Sequence, residues 1–221
     1  MTSDLFDAMR TMRTIRRFET RPIPDEVLTE IVTAATWAPS GSNSQPWGFV
    51  IVRDPALKRS LRDWYLDRFE RMQEVYRAQS GRTRPASPRI LRRARHLAEH
   101  LDEAPVLVFP CVDKHRYPAI FDDRGETRDP TTLYASILPA VQNLLLAARA
   151  HGIGGCLTTM LRFADADVRR LLALPDHVMT TVMIPLGYGR DSFGPLTRRP
   201  ATEVMYLDRW GDQFATSASA T

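Results

Sequence analysis

Apolar residues fall into stretches of two different periods along this chain. Leu5, Phe6, Met9 and Met12 recur at helical spacing and predict a first helix over residues 3–13. Val27, Leu28, Ile31, Val32 and Ala35 form one stripe and predict a second over 24–37. Pro24 suits its first turn, Asp25 and Glu26 its positive end, and Pro39 stops it. The run from Trp47 to Val52 is almost continuously apolar and rich in β-branched and aromatic side chains, which predicts a central strand. Residues 55–79 read as a charged helix with Trp64, Tyr65, Phe69 and Tyr76 interleaved. Ser80 to Pro88 is a connector, 89–102 another helix, and Pro105 to Pro110 a buried strand.

Asp113 to Asp129 is polar and reads as a loop. A long core helix then runs from Asp129 and Pro130 to Ala150, carrying Ile137, Val141, Leu144, Leu145 and Ala148; Pro139 inside it predicts a kink or an early break. Glycines after His151 close that helix. Cys156–Thr159 reads as a strand, 165–173 as a helix, 178–186 as a strand, and 198–210 as extended, with 215–221 fraying. Strands and helices mix without regular alternation, so the expected class is α+β, and 221 residues fit one domain over 1–221.

Composition changes this picture little. Apolar residues make up 43% and charged residues 25%, the balance of a soluble globular protein. No stretch reaches the roughly 18 uninterrupted apolar residues of a membrane span. The acidic start lacks a hydrophobic signal core, and two cysteines without metal spacing fit a reducing cytoplasm. Arginines gather at Arg82, Arg84 and Arg89 to Arg95, but Glu99, Asp102 and Glu103 follow and no recognition motif accompanies them; the reading is a solvated helix face, not a nucleic-acid site. His96 and His100 stand four apart without an acidic motif, so no metal is expected. Gly152, Gly154 and Gly155 end a helix instead of opening one, unlike a dinucleotide fingerprint.

Two segments carry candidate chemistry. Ala38 to Trp47 joins a helix to a strand through two prolines, a glycine and five amide or hydroxyl side chains, a turn able to offer hydrogen bonds to a planar polar ligand. Arg13, Arg16 and Arg17 supply guanidinium groups suited to phosphate or an anionic ring edge.

In this order, with the glycine-rich end of the core helix and the late Arg198-Arg199-Pro200, these segments resemble the nitroreductase superfamily over nearly the whole chain. The resemblance implies a mixed central sheet flanked by helices, an intertwined homodimer, and an FMN held between subunits. NADH or NADPH would pass hydride to flavin N5, and a small acceptor such as a nitroaromatic, quinone or enone would then take the electrons by ping-pong turnover. Carried over by position, Arg13 and Thr14 would serve the phosphate and ribityl end, with the backbone of Met12 beside them where relatives have a basic residue. Arg16 would approach the N1/O2 edge of the ring, and Arg17 would face elsewhere. Pro39, Ser40, Gly41 and Asn43 would lie on the flavin from the opposite subunit, with Gln45 and Pro46 shaping the turn. Leu157, Thr158 and Thr159 would flank N5 and O4, and Arg198, with Arg199 as competitor, would bind the phosphate.

The insertion, about 59–100, corresponds to the lid of the iodotyrosine deiodinase and benzimidazole synthase branch. Glu70, Glu74 and Tyr76 are its substrate candidates, while the lysine of the deiodinase lid falls near Ala98. Alternatives are a flavin-storing or flavin-sensing protein, a benzimidazole synthase that consumes its flavin, and a reductive dehalogenase.

Overall fold

The computed structural model describes residues 5–78, 87–116 and 131–214. The expected connector and polar loop fall mostly outside these residues, as does 215–221.

The spine of the sheet is β2 (Val106–Asp113), a run whose side chains are buried almost throughout. Along one side lies β1 (Trp47–Val52), antiparallel from Trp47 opposite Val112 to Val52 opposite Leu107. Along the other lie β4 (Val178–Thr180) and β5 (Ile184–Tyr188), and β3 (Ile153–Gly155) pairs with β5. Each described pairing is antiparallel, in the order β1-β2-β5-β3, with β4 also on β2. Among the described residues, the strand read as central from its apolar run, β1, therefore stands at an edge. A continuous apolar run reports burial on both faces but not hydrogen bonding on both sides, and here Gly48 and Ile51 are exposed.

The strand expected over 178–186 is two strands. Between them the Thr181 N–H and hydroxyl both donate to the Pro110 carbonyl (3.1 and 2.9 Å), and Met183 turns to pair with Thr158. The strand expected over 156–159 is likewise displaced: the ladder forms at Ile153–Gly155, and Thr158 rejoins it opposite Met183 in the same register.

Helices cover the sheet. α2 (Asp25–Thr36) buries Leu28, Ile31 and Ala35, and Pro24 precedes it in extended backbone as its N-cap. α5 (Thr131–Ala150) runs unbroken through Pro139, so the expected break does not occur. Packing fixes it: Ile137, Ala140, Val141, Leu144 and Ala148 are buried, and the Asn143 amide donates to the Ala34 carbonyl of α2. This helix is long and apolar enough to cross a bilayer, but its apolar stripe lies in the core. α3 (Pro55–Ala78) and α4 (Pro88–Glu99) pack together over a second core cluster through Leu61, Tyr65, Phe69 and Leu97. The other helices are α1 (Leu5–Thr11) and α6 (Asp165–Leu171). The tail, expected to be extended, includes a 3-10 turn at Ala201–Glu203.

Candidate functional site

The chain leaving α1 is sewn to the ends of β3 and β5. Ile15 N–H donates to the Gly155 carbonyl (3.0 Å), Glu19 N–H to Tyr188 (2.8 Å), and Arg190 N–H to Arg17 (3.0 Å). Ile15, 1% exposed, and Phe18 are its buried anchors. The glycines form the seat for this segment as well as the end of α5. A Cβ on Gly154 would lie 2.4 Å from Ile15 Cγ1, and one on Gly189 2.9 Å from Ile15 Cγ2. With Ile15 and Phe18 turned inward, Arg13, Thr14 and Arg16 are left to line a surface groove.

Arg198 reaches that groove from the far end of the sequence. Gly194 N–H donates to Thr11 O (3.2 Å) and Leu196 N–H to Arg10 O (3.1 Å), satisfying carbonyls at the C-terminal end of α1 and laying the tail across it. The cavity, about 460 Å³, is lined by Met12, Arg13, Thr14, Arg16 and Pro195–Arg198, with Ser87, Arg89, Ile90 and Arg93 of the α4 end opposite. Arg199 and Arg17 are not among its lining residues. No described lining residue is acidic. Arg93 reaches Asp191 at 3.6 Å, whereas Arg13, Arg16, Arg89 and Arg198 form no ion pair with a carboxylate among the described residues. Such a concentration of uncompensated guanidinium groups is an anion site by electrostatics alone. Arg89, which is exposed, and Arg93, four residues on, also line the groove, while Arg92 is exposed and Arg95 pairs with Glu70 and Glu99.

A second cavity of about 90 Å³ shares the Met12–Thr14 wall and adds Gly154, Gly155, Leu157 and Phe193. A larger depression, about 610 Å³, lies on the outer face of α2 and β1. The charged residues among its described lining, Asp25 and Arg53, are paired with each other, so they offer no comparable chemistry.

Thr158 is committed to the interior. Its backbone exchanges both hydrogen bonds with Met183 (3.0 and 2.9 Å), its Oγ1 accepts from Met160 N–H (3.3 Å), and it bonds the Tyr65 hydroxyl at 3.0 Å. Leu157 and Thr159, on either side of it, are both exposed. Of the three residues expected at the ring, the outer two face outward and the middle one braces them. Tyr65 is 5% exposed, and burial pushes its phenol up to about 12 against the smaller opposing effects of the Thr158 hydrogen bond and Arg16. Burial also raises the Cys156 thiol, with Arg16 beside it working the other way, so Cys156 is an inert apolar neighbour.

The turn at Pro39, Ser40, Gly41 and Asn43 is built from its own side chains. Ser40 Oγ accepts from Gln45 N–H (3.0 Å), the Gln45 amide donates to Asn43 Oδ1 (3.3 Å), and Gly41 N–H donates to Ser136 Oγ of α5 (3.2 Å). Ser42, Asn43 and Gln45 all take left-handed backbone, with φ of 53°, 51° and 47°. Pro46 O accepts from Asp113 N–H (2.7 Å), fixing the turn to β2. The turn lines neither arginine-walled cavity.

The lid candidates do not line these cavities either. Glu70, Glu74 and Tyr76 are exposed on α3, and Glu70 pairs with Arg95 at 3.8 Å. Sequence reasoning passed over Tyr65, whose spacing with Leu61 and Phe69 marks it as core; nothing in that spacing points to a hydroxyl 93 residues further on. It also passed over a cluster at the end of β2, where ligand atoms of Asp113, His115 and His177 lie within 4.8 Å of one another. The imidazoles of His115 and His177 stack with centroids 4.0 Å apart and planes 7° apart. Their in-plane lone pairs therefore do not converge on one point, which is the wrong geometry for a shared ion.

The model of the Nitroreductase family matches residues 9–188. An NADH dehydrogenase of Thermus thermophilus is 32% identical over 204 residues, 87% of this chain and 90% of that protein. The iodotyrosine deiodinase of Drosophila melanogaster is 32% identical over 206 residues, 91% of this chain and 68% of that protein. The crystal structure of an oxidized iodotyrosine deiodinase bound to FMN and 3-iodo-L-tyrosine matches with a TM-score of 0.68 at 28% identity, covering 93% of this chain and 99% of that one.

Proposed function

The chain belongs to the nitroreductase family, and on that premise we propose that it is an FMN-dependent NAD(P)H oxidoreductase acting on a small acceptor such as a nitroaromatic, quinone or enone. The observation that carries this reading is the groove that gathers Arg13, Thr14, Arg16 and Arg198 from the two ends of the chain, with no carboxylate among its described lining residues. Its donors fit the cofactor: guanidinium groups for one phosphate, a hydroxyl for the ribityl chain, and a cation for the ring edge. When bound, FMN supplies a two-electron carrier that accepts hydride from the nucleotide and yields it to the acceptor.

The protein's contribution is positioning and charge. Arg13, Thr14 and Arg198 grip the phosphate end. Arg16 would face the ring edge where negative charge develops on reduction and would stabilise that charge. The backbone of Met12 lines the same wall. Leu157 and Thr159, braced through Thr158, border the ring. The Pro39–Asn43 turn closes the site from the second subunit of a homodimer. That it lines neither arginine-walled cavity within one chain supports that arrangement, as do the exposed Trp37 (76%) and Trp210 (89%). The segment around 59–100 acts as the lid of one domain, and the buried free thiols suit the cytoplasm.

A reductive dehalogenase of iodotyrosine is the second reading, favoured by the deiodinase relatives. Against it, the lysine of that branch's lid falls near Ala98, which is fully buried and offers no amine. The test is anaerobic. The purified protein should carry FMN, bleach with NADH or NADPH, and recolour with a nitroaromatic. A bound flavin that resists both nucleotides would leave flavin storage as the function, and recolouring with iodotyrosine alone would establish the dehalogenase.

A further inference from the structure

Resting on the flavin-reductase reading, the geometry points to a second anion subsite on α4, formed by Arg89, Arg93 and Ser87, that receives the 2′-phosphate of NADPH. Charge arithmetic motivates it. Among its described lining residues the groove presents five guanidinium groups and no carboxylate. The cofactor brings one phosphate, for which Arg13 and Arg198 suffice, and one ring edge, which Arg16 faces. Arg89 and Arg93 remain; among the described residues Arg93 has a carboxylate near it, Asp191 at 3.6 Å, and Arg89 forms no ion pair. Two guanidinium groups turned toward three others repel one another unless a further anion enters, so the groove attracts a second dianion.

Local structure aims that charge. Arg89 and Arg93 are four residues apart on one helix and so share a face. Ser87 caps the N-terminus of α4, accepting from Ile90 N–H at 3.4 Å, and the positive end of this twelve-residue helix opens on the same groove. Between the basic groups lie the apolar Ile90 and Leu196, a surface suited to a nucleotide base. NADPH differs from NADH only by the phosphate monoester on its adenosine ribose. That is the group such a subsite distinguishes, through charge-assisted and bidentate contacts.

The experiment uses the FMN-loaded protein. NADP+ should bind about tenfold or more tighter than NAD+ by calorimetry, and KM for NADPH should lie below that for NADH by a similar factor. Arg89→Gln should raise KM for NADPH about tenfold more than KM for NADH, narrowing the gap, while the milder Arg89→Lys should restore part of it. Equal affinities for NADP+ and NAD+ in the parent protein would overturn the subsite. So would an Arg89→Gln variant that weakens FMN retention and loses both nucleotides equally, since that result assigns Arg89 to the cofactor phosphate. If neither nucleotide reduces a flavin that dithionite does reduce, the reductase reading fails, and the NADP+ over NAD+ binding ratio still decides the subsite.

Discussion

Replacing Tyr65 by Phe removes one hydroxyl from the core and tests how α3 braces the Leu157–Thr159 segment. At pH 8 the variant loses the 3.0 Å bond to Thr158, worth about 1 kcal/mol. Thr158 is not orphaned, because its Oγ1 still accepts from Met160 N–H. The pH dependence carries the sharper consequence. Burial holds the folded phenol at about 12 against 10.0 unfolded. A raised pKa means that the folded state keeps a proton the unfolded chain has released. The stability tied to that proton is therefore complete below pH 10 and is lost as pH rises toward 12. By pH 11, midway between the unfolded and folded values, the loss is about 1.4 kcal/mol. The parent's advantage over Tyr65→Phe, about 1 kcal/mol at pH 8, should thus vanish or reverse by pH 11. Cys111, raised by burial to about 11, titrates in the same range but is common to both proteins and cancels in the difference. Urea unfolding of both proteins at pH 8 and pH 11 measures it. A difference that stays constant across that range would refute the argument, because it would mean that Tyr65 titrates alike in the folded and unfolded chains.

Two further outcomes follow from the groove. Gly154→Ala drives a methyl into Ile15, so overpacking should cost about 1–3 kcal/mol in thermal or urea unfolding and weaken FMN retention; Gly154→Ala with Ile15→Ala should recover part of it, and strictly additive losses would dismiss the contact. Arg198→Ala should weaken FMN binding by about 2 kcal/mol in a fluorescence titration, whereas Arg199→Ala should leave it nearly unchanged; the opposite result would exchange their roles.

Much of the fold was legible because periodicity reports burial. The stripe of α2, the apolar run of β1 and the core face of α5 each appear in the sequence within a residue or two of their observed bounds. What periodicity does not encode is which neighbour a strand finds. β1 reads as central and lies at an edge, and 178–186 reads as one strand and splits where Thr181 and Met183 choose different partners. Pro139 reads as a break because its missing N–H is a local property, while the packing that carries α5 through it is not.

The candidate site divides the same way. Residue type and order alone carry the family resemblance and the chemistry on offer: the arginines at 13, 16 and 198, the polar turn at 39–43 and the Leu157–Thr159 segment. Which of these meet is fixed by contacts across the fold. Backbone bonds from Gly194 and Leu196 to the end of α1 bring Arg198 beside Arg13, and the flat faces of Gly154 and Gly189 admit Ile15 and so turn Arg16 into the groove. The register of Thr158 with Met183 sends its hydroxyl inward to Tyr65, and the seating of α4 adds Arg89 and Arg93 to the same cavity. Each of these outcomes depends on contacts between residues far apart in the chain, whereas sequence patterns record only what each segment can bury or bond.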